Sequence, residues 1–193
     1  MSKTYSKTRI LVEGALMIAL ATILSELKIF SMPYGGDITL CAMLPILLMS
    51  FRHELKWGVF TAFVYSLLQL VLGLNNLAYC ATLFSQIGCV LLDYLCAFTV
   101  LGTACFFAKP FKNKLVSVAF GSVIACALRL VFAVMSGALL WGSYQSYYEW
   151  AAGLNVWVYS LIYNLNYLLP ETILTAIAVV LIAKFAPKLF DAQ

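Results

Sequence analysis

The sequence is poor in charge: 10% of its 193 residues are Asp, Glu, Lys or Arg, whereas 64% are hydrophobic. Soluble domains carry about 25% charged and about 45–50% apolar residues. A chain of this length cannot bury so much apolar surface in one soluble core, so the excess must face lipid. The composition therefore predicts an all-α integral membrane protein, with a single membrane domain over residues 1–193.

Motifs of known chemistry are also scarce. No G-x-x-x-x-G-K-[ST] occurs, which argues against ATP hydrolysis by this chain, and the only histidine, His53, leaves no H-E-x-x-H metal motif. The six cysteines form no C-x-x-C pair and lie in or beside apolar runs, which favours small buried side chains over disulfides or metal ligands. We therefore expect no catalytic residue, no metal and no bound cofactor, although an acid-only intramembrane enzyme stays open as an alternative.

Apolar periodicity predicts a bundle of six transmembrane helices. Their approximate limits are residues 9–29, 38–51, 57–75, 79–107, 115–140 and 155–186. The second is short for a membrane span and contains Pro45, so we expect it to be tilted, kinked or incompletely spanning.

Basic residues gather at alternate connections between these helices. The ten that share one side are Lys3, Lys7, Arg9, Arg52, Lys56, Lys109, Lys112, Lys114, Lys184 and Lys188. The other side carries Lys28 alone, beside Glu26, Asp37 and Glu149. The positive-inside rule then predicts that both termini are cytoplasmic. Because the basic residues are scattered and form no single patch, nucleic acid is not an expected partner.

Four ionisable residues fall inside predicted spans: Glu13, Asp93, Arg129 and Glu171. A charge at the centre of a membrane helix costs about 2.5–3.5 kcal/mol, so each needs a partner or a function. For Arg129 and Glu171 we favour a structural ion pair. A single arginine cannot neutralise both deep acids, and Asp93 has Tyr94 beside it. Asp93 is therefore a candidate for binding a cationic ligand, with a structural role as an equal alternative.

Aromatic residues concentrate on the predicted external side: Trp141, Tyr144, Tyr147, Tyr148, Trp150, Trp157, Tyr159 and Tyr163. A Trp and Tyr belt at the membrane surface explains part of this set. It does not explain why Tyr163, Asn164, Asn166 and Tyr167 continue into the sixth helix, where Tyr159, Tyr163 and Tyr167 share one face with Asn166 beside them. Stacking rings, an amide and a carboxylate suit a flat, cationic heteroaromatic ligand.

The first helix contains Ala15 and Ala19 four residues apart. Small residues at this spacing allow a partner helix to approach closely. Because such pairs are common in alanine-rich helices, internal packing is the simpler interpretation of this pair alone.

Taken together, these segments resemble the thiamine-specific substrate-binding subunits (S-components) of energy-coupling factor transporters over nearly the whole chain. The segments that carry the resemblance are EGALMIALA in the first helix, LPILLMSFRHELKWGVFTAFVYSLLQ in the second and third, LLDYLCAF in the fourth, and WGSY followed by VWVYSLIYN into the sixth. Their common order and spacing are more specific than any one of them.

The resemblance implies a six-helix bundle in a bacterial cytoplasmic membrane, with both termini inside and an external thiamine pocket. It also implies a transmembrane coupling protein and two cytoplasmic ATPase subunits that use the ATP. In this sequence the ligand-binding residues of the family match Asp93, Tyr94, Trp141, Tyr159 and Asn164. The helix 1 alanines that contact the coupling protein match Ala15 and Ala19.

The sequence departs from the family pattern at three places. Asp93 stands where a glutamate is expected, and Ala133 stands where the family has a histidine. In the first external loop, a tryptophan and an acid of the family are replaced by Tyr34 and Asp37 or by nothing. Further pocket candidates are Tyr79, Tyr144 and Tyr163.

These departures leave alternatives for the ligand and for the function. A thiamine phosphate, a thiamine precursor or another small heterocyclic vitamin is an alternative ligand. An intramembrane enzyme and a binding-only scaffold are the alternative functions.

Overall fold

Long apolar helices dominate the computed structural model, which describes residues 7–33, 35–80 and 82–190. The helices are α1 (Lys7–Glu26), α2 (Leu44–Arg52), α3 (Leu55–Leu72), α4 (Leu83–Cys89), α5 (Ala97–Thr99), α6 (Ala104–Ala108), α7 (Lys114–Leu139) and α8 (Val156–Phe185). Two short strands, β1 (Lys28–Ser31) and β2 (Asp37–Thr39), pair antiparallel between α1 and α2. The predicted class, a helical integral membrane protein, is confirmed.

Five helical stretches of the described chain are long and apolar enough to cross a membrane: α1, α3, the α4–α6 span (Leu83–Ala108), α7 and α8. Their outer faces expose large apolar side chains such as Leu16, Phe60, Leu91, Val131 and Ile173. Side chains of this kind on several helices are suited to contact with lipid rather than water.

The region predicted as one helix over residues 38–51 divides into a strand and a short helix. Gly35 and Gly36 have φ of 97° and 95°, which turns the chain back into the β1–β2 hairpin. Cys41 has φ of 57°, a left-handed conformation that an α-helix cannot continue through. The helix therefore begins at Leu44, with Pro45 in its first turn. At about 1.5 Å per residue, α2 covers less than half of a hydrocarbon core about 30 Å thick.

The α4–α6 span is continuous but irregular. A π-helical turn at Val90–Cys96 follows α4, and a 3₁₀ turn at Val100–Thr103 separates α5 from α6. The span begins later than residue 79, because residues Leu74–Tyr79 form a separate 3₁₀ turn and Thr82 caps α4 through Ser85. π-Helical turns occur frequently at functional sites, and this one carries Asp93 and Tyr94.

The helices pack closely where small residues meet. A methyl group built on Gly102 would lie 2.4 Å from the Gly58 carbonyl oxygen, so α3 and the Val100–Thr103 turn touch through their backbones. Ser50 Oγ donates to the Gly102 carbonyl at 2.7 Å and ties α2 into the same contact. The core around this point includes fully buried Ile46 and Leu101.

The basic end of the bundle is organised around Glu13. Its carboxylate lies 3.0 Å from Arg52 Nε and 2.9 Å from His53 Nε2, and Arg9 approaches it at 3.3 Å. Arg52 Nη1 also donates to the Leu189 carbonyl at 3.0 Å. Glu13 therefore joins α1 to the α2–α3 connection, and Arg52 extends this network to the turn that follows α8.

Candidate functional site

A cavity of about 400 Å³ lies at the opposite end of the bundle, between α3, the α4–α6 span, α7, α8 and the β1–β2 hairpin. This volume falls within the usual range for small-molecule sites, about 300–1,000 Å³. The predicted residues that line it are Asp37, Asp93, Tyr94, Arg129, Trp141, Tyr144, Tyr159, Tyr163, Asn164 and Glu171. Residues from all along the sequence therefore converge on one site.

Asp93 and Trp141 are joined in the wall of this cavity. Trp141 Nε1 donates a hydrogen bond to Asp93 Oδ2 at 3.0 Å. The bond fixes the indole plane, because it holds the edge of the ring against the π-helical turn. Trp141 also packs against Tyr144, with ring centroids 5.7 Å apart, and both rings line the cavity beside Asp93, whose carboxylate has further acceptor positions.

Tyr94, beside Asp93, connects the cavity to the turn at Leu74–Tyr79. Its hydroxyl donates to the Gly73 carbonyl at 3.0 Å and accepts from Asn76 Nδ2 at 3.0 Å. Any side chain at Gly73 would collide with this hydroxyl. Gly73 and Asn76 belong to an external loop expected from the sequence, and the fold shows that this loop meets Tyr94.

The α8 wall combines an amide with three tyrosines. Asn164 Nδ2 donates to the carbonyls of Ser160 at 2.8 Å and Ala133 at 3.3 Å, and Asn164 Oδ1 accepts from Tyr167 Oη at 2.7 Å. Both amide hydrogens are engaged, so Asn164 presents its remaining lone pair as an acceptor. Tyr159 and Tyr163 stand beside it with ring centroids 6.0 Å apart.

The β1–β2 hairpin closes over the tyrosine wall. Tyr163 Oη donates to the Gly35 carbonyl at 3.1 Å, and Gly36 lies against the ring of Tyr167 so closely that a β-carbon would be 2.5 Å away. Lys28 Nζ pairs with Asp37 Oδ2 at 2.9 Å across the hairpin. Asp37 is thus already neutralised by a cation, which distinguishes it from Asp93. Tyr34 lies outside the described residues.

Arg129 and Glu171 form the inner wall of the cavity. Arg129 Nη1 is 3.9 Å from Glu171 Oε2, and its guanidinium lies 4.5 Å from the centroid of the Phe98 ring. Glu171 Oε1 accepts from Thr39 Oγ1 at 2.6 Å, whereas Oε2 is buried without a hydrogen bond. The two charges face each other across the inner wall of the cavity, and a structural role for the pair stays a prediction.

Tyr79, Ala15 and Ala19 lie away from the cavity, whereas Ala133 lines it. Tyr79 is half exposed and lines a separate external groove, and its carbonyl accepts from Tyr144 Oη at 2.9 Å. Ala15 and Ala19 are exposed on α1, so internal packing does not explain them. Ala133 lines the cavity as a small side chain and leaves room there.

Comparisons with known proteins bear on this site. A family model described as thiamine transporter protein matches residues 11–191. The chain is 35% identical over 195 residues to the thiamine transporter ThiT of Bacillus subtilis strain 168, covering 95% of this chain and 94% of that protein. It is 31% identical over 160 residues to ThiT of Lacticaseibacillus paracasei, covering 78% and 75% respectively.

A solved structure offers a comparison of the fold. ThiT from Listeria monocytogenes superposes on the chain with a TM-score of 0.77 at 22% identity, over 96% of this chain and 98% of that one. The two chains therefore share their overall architecture.

Proposed function

The chain belongs to the thiamine transporter protein family, and from this premise we propose that it captures thiamine as the substrate-binding subunit of an energy-coupling factor transporter. The family match and the similarity to ThiT confirm the resemblance to thiamine transporters that was found in the sequence. One observation carries the proposal: a carboxylate, stacking rings and an amide acceptor converge on one cavity of about 400 Å³.

Different cavity residues would contact different parts of thiamine. The Asp93 carboxylate would pair with the positive charge of the thiazolium ring. Trp141, which donates a hydrogen bond to Asp93, would stack on an aromatic ring of the ligand. Tyr159 and Tyr163 would add further aromatic surface, and the free lone pair of Asn164 would accept from the aminopyrimidine. Each aromatic contact with a cation contributes about 0.5–2 kcal/mol.

The ligand's exact form depends on the inner part of the cavity. Ala133 stands where the family has a histidine, so an imidazole ring is replaced by a methyl group in the lining of the cavity. Arg129 lines the same cavity and is paired with Glu171. Thiamine is the proposed ligand, while thiamine phosphates and precursors are the alternatives that direct titration separates.

The chain is a multi-pass membrane protein, and we propose that it resides in the bacterial cytoplasmic membrane with both termini inside. The basic end formed by Arg9, Glu13, Arg52 and His53 would then face the cytoplasm and the cavity would face outward. A helix of a transmembrane coupling protein would pack against the exposed Ala15 and Ala19. Two partner ATPase subunits would supply the energy for transport by hydrolysing ATP.

Thiamine titration of the detergent-purified chain tests binding directly. We expect saturable quenching of tryptophan fluorescence, because thiamine would stack against Trp141. Trp141→Phe should remove most of the quenching and weaken the affinity about tenfold, through loss of stacking area and of the hydrogen bond to Asp93.

Trp157→Phe is the matched control, since Trp157 is half exposed and does not line the cavity. It should keep both the quenching and the affinity. A folded wild-type chain that binds neither thiamine nor its phosphates would contradict the proposal. Chemical turnover of the ligand by the purified chain alone would instead favour the intramembrane enzyme.

The double substitution Ala15→Leu and Ala19→Leu tests coupling separately from binding. Thiamine binding should remain, because both residues lie on the outer face of α1. Thiamine uptake by cells that also express a coupling protein and its ATPases should fall at least tenfold, since the added side chains hold the helices apart. Val71→Phe, on the exposed face of α3, adds comparable bulk and should leave uptake intact. Undiminished uptake by the double variant would exclude this docking surface.

A further inference from the structure

A short, strongly basic connection joins α6 to α7. Residues 109–113 carry Lys109 and Lys112, and both side chains are exposed. The sequence from residue 94 to residue 148 contains no Asp or Glu, so the elements on either side of the connection bring no negative charge to it. The connection therefore presents concentrated positive charge on the surface.

Contacts on both sides fix this connection at the basic end of the bundle. Lys114 Nζ donates to the Pro187 carbonyl at 3.1 Å, in the same turn that Arg52 contacts. Ser117 Oγ donates to the Ala108 carbonyl at 2.8 Å, which ties the first turn of α7 to the end of α6. Because the fold holds the backbone on both sides, it also sets the spacing of the two lysines.

Exposed phenylalanine rings accompany the lysines. Lys109 Nζ lies 5.5 Å from the centroid of the Phe106 ring, within the range of a cation–π contact. Phe111, which stands between the two lysines, packs its ring on Phe120 of α7 with centroids 4.8 Å apart. All three rings are more than one third exposed. Charged amines and apolar rings thus share one surface.

The apolar surface continues along the outer face of α7. Val116, Phe120, Val123 and Val131 are exposed, and their spacing places them on one side of the helix. At about 1.5 Å per residue this face is about 22 Å long, which exceeds one leaflet of a hydrocarbon core about 30 Å thick. A lipid chain that lies along this face would bring its headgroup to the lysines.

We propose that the α6–α7 connection binds the headgroup of an anionic phospholipid through Lys109 and Lys112, with an acyl chain on the exposed face of α7. Each lysine ammonium group donates hydrogen bonds and attracts phosphate oxygens by charge. A headgroup with net negative charge is favoured over a zwitterionic one, because the amine of the latter is repelled by the two lysines. With both termini inside, as proposed above, this lipid belongs to the inner leaflet.

An acidic protein is the other kind of partner that a basic surface suits. The phenylalanine rings and the α7 face favour lipid, because they continue from the lysines into the depth of the membrane, where a cytoplasmic protein does not reach. The surface proposed for the coupling protein lies on α1, which packs on α2 and α3. The two surfaces are therefore on different helices, and the lipid needs no thiamine for its binding.

Lipid retention by the full chain in detergent tests this proposal. The chain is mixed with equal amounts of dioleoyl phosphatidylglycerol and dioleoyl phosphatidylcholine, and native mass spectrometry measures the bound lipid. We expect a preference for phosphatidylglycerol, and Lys109→Gln with Lys112→Gln should reduce it at least fivefold, since each lysine near an anionic headgroup contributes a factor of about five. Each single substitution should give a smaller loss in the same direction. Phe111→Ala should weaken retention of both lipids alike, because it removes apolar contact and no charge.

Lys7→Gln with Lys56→Gln is the matched control, because it removes the same charge from exposed positions on α1 and α3. It should keep the wild-type preference. An equal loss in this control would show that the attraction comes from the overall charge of the basic end, and would overturn the proposed site. Thermal unfolding without added lipid checks that each variant is folded.

Further outcomes decide between possible partners. An excess of glycerol phosphate should leave phosphatidylglycerol bound, since it makes no acyl-chain contact; displacement would assign the lysines to a soluble phosphate compound and overturn the lipid. A wild-type chain without lipid preference would overturn it as well. If Lys109→Gln with Lys112→Gln then lowers uptake in cells that express the coupling protein and its ATPases, the surface binds an acidic protein instead. None of the lipid measurements requires thiamine, so failure of the proposed function would leave their result unchanged.

Discussion

Asp93→Asn is expected to weaken thiamine binding about 100-fold, the largest effect of any single substitution in the cavity. Two opposite charges 4 Å apart attract each other by about 4 kcal/mol at an effective dielectric constant of 20. A 100-fold loss corresponds to about 2.7 kcal/mol of this attraction. The substitution removes the charge and keeps the shape, since the Asn carbonyl oxygen can still accept from Trp141 Nε1. Isothermal titration with thiamine measures the change.

Two controls separate charge from structure in this experiment. Glu149→Gln removes an exposed acid outside the cavity and should leave the affinity unchanged. Asp93→Glu, which restores the acid expected from the family, should keep most of the binding. If Asp93→Asn binds thiamine with wild-type affinity and Asp37→Asn binds it much more weakly, then Asp37 of the hairpin, and not Asp93, recognises the positive charge.

The sequence predicted the long helices well because each is a long, continuous apolar stretch. It failed between α1 and α2, where local geometry overrides hydrophobicity. The φ angles of Gly35, Gly36 and Cys41 produce a hairpin and a break that a count of apolar residues does not register. The short α2 is buried among other helices, and its stability depends on packing rather than on its own length.

The site was predictable to the extent that its residues are unusual where they stand. Asp93 and Asn164 are polar groups within apolar spans, which marks them in the sequence. Asn76 carries no such mark, since a polar residue in a loop is common. Its role arises from the hydrogen bond to Tyr94 that only the fold creates.

The aromatic cluster serves both of the purposes that the sequence left open. Trp150 and Trp157 are about half exposed and Tyr147 is largely exposed, as residues of a belt at the membrane surface would be. Tyr159 and Tyr163 are buried and line the cavity. Tyr147 and Trp150 lie in the turns before α8. Within α8, Trp157 lies on a different face from Tyr159 and Tyr163, which are four residues apart and point to the same side.

Arg129→Met is expected to lower the free energy of unfolding by about 3–5 kcal/mol, because it leaves the Glu171 carboxylate buried without its cation. Glu171 is 3% exposed, and one of its oxygens already lacks a hydrogen bond. For a chain of this size the loss should lower the midpoint of thermal unfolding by on the order of 10 °C. Thermal unfolding of the ligand-free protein in detergent measures it. Arg9→Met, at an exposed surface pair, should change the midpoint little.

The double variant Arg129→Met and Glu171→Met decides whether the two charges act as a pair. Replacing both members of a buried ion pair by apolar residues is often neutral or stabilising, whereas removing one leaves a charge uncompensated. We therefore expect the double variant to unfold at a higher temperature than Arg129→Met. Additive losses would show instead that each charge has its own partner, such as Thr39 for Glu171 and Phe98 for Arg129. The inner wall would then consist of two independent polar contacts, and Arg129 would be available to bind a ligand.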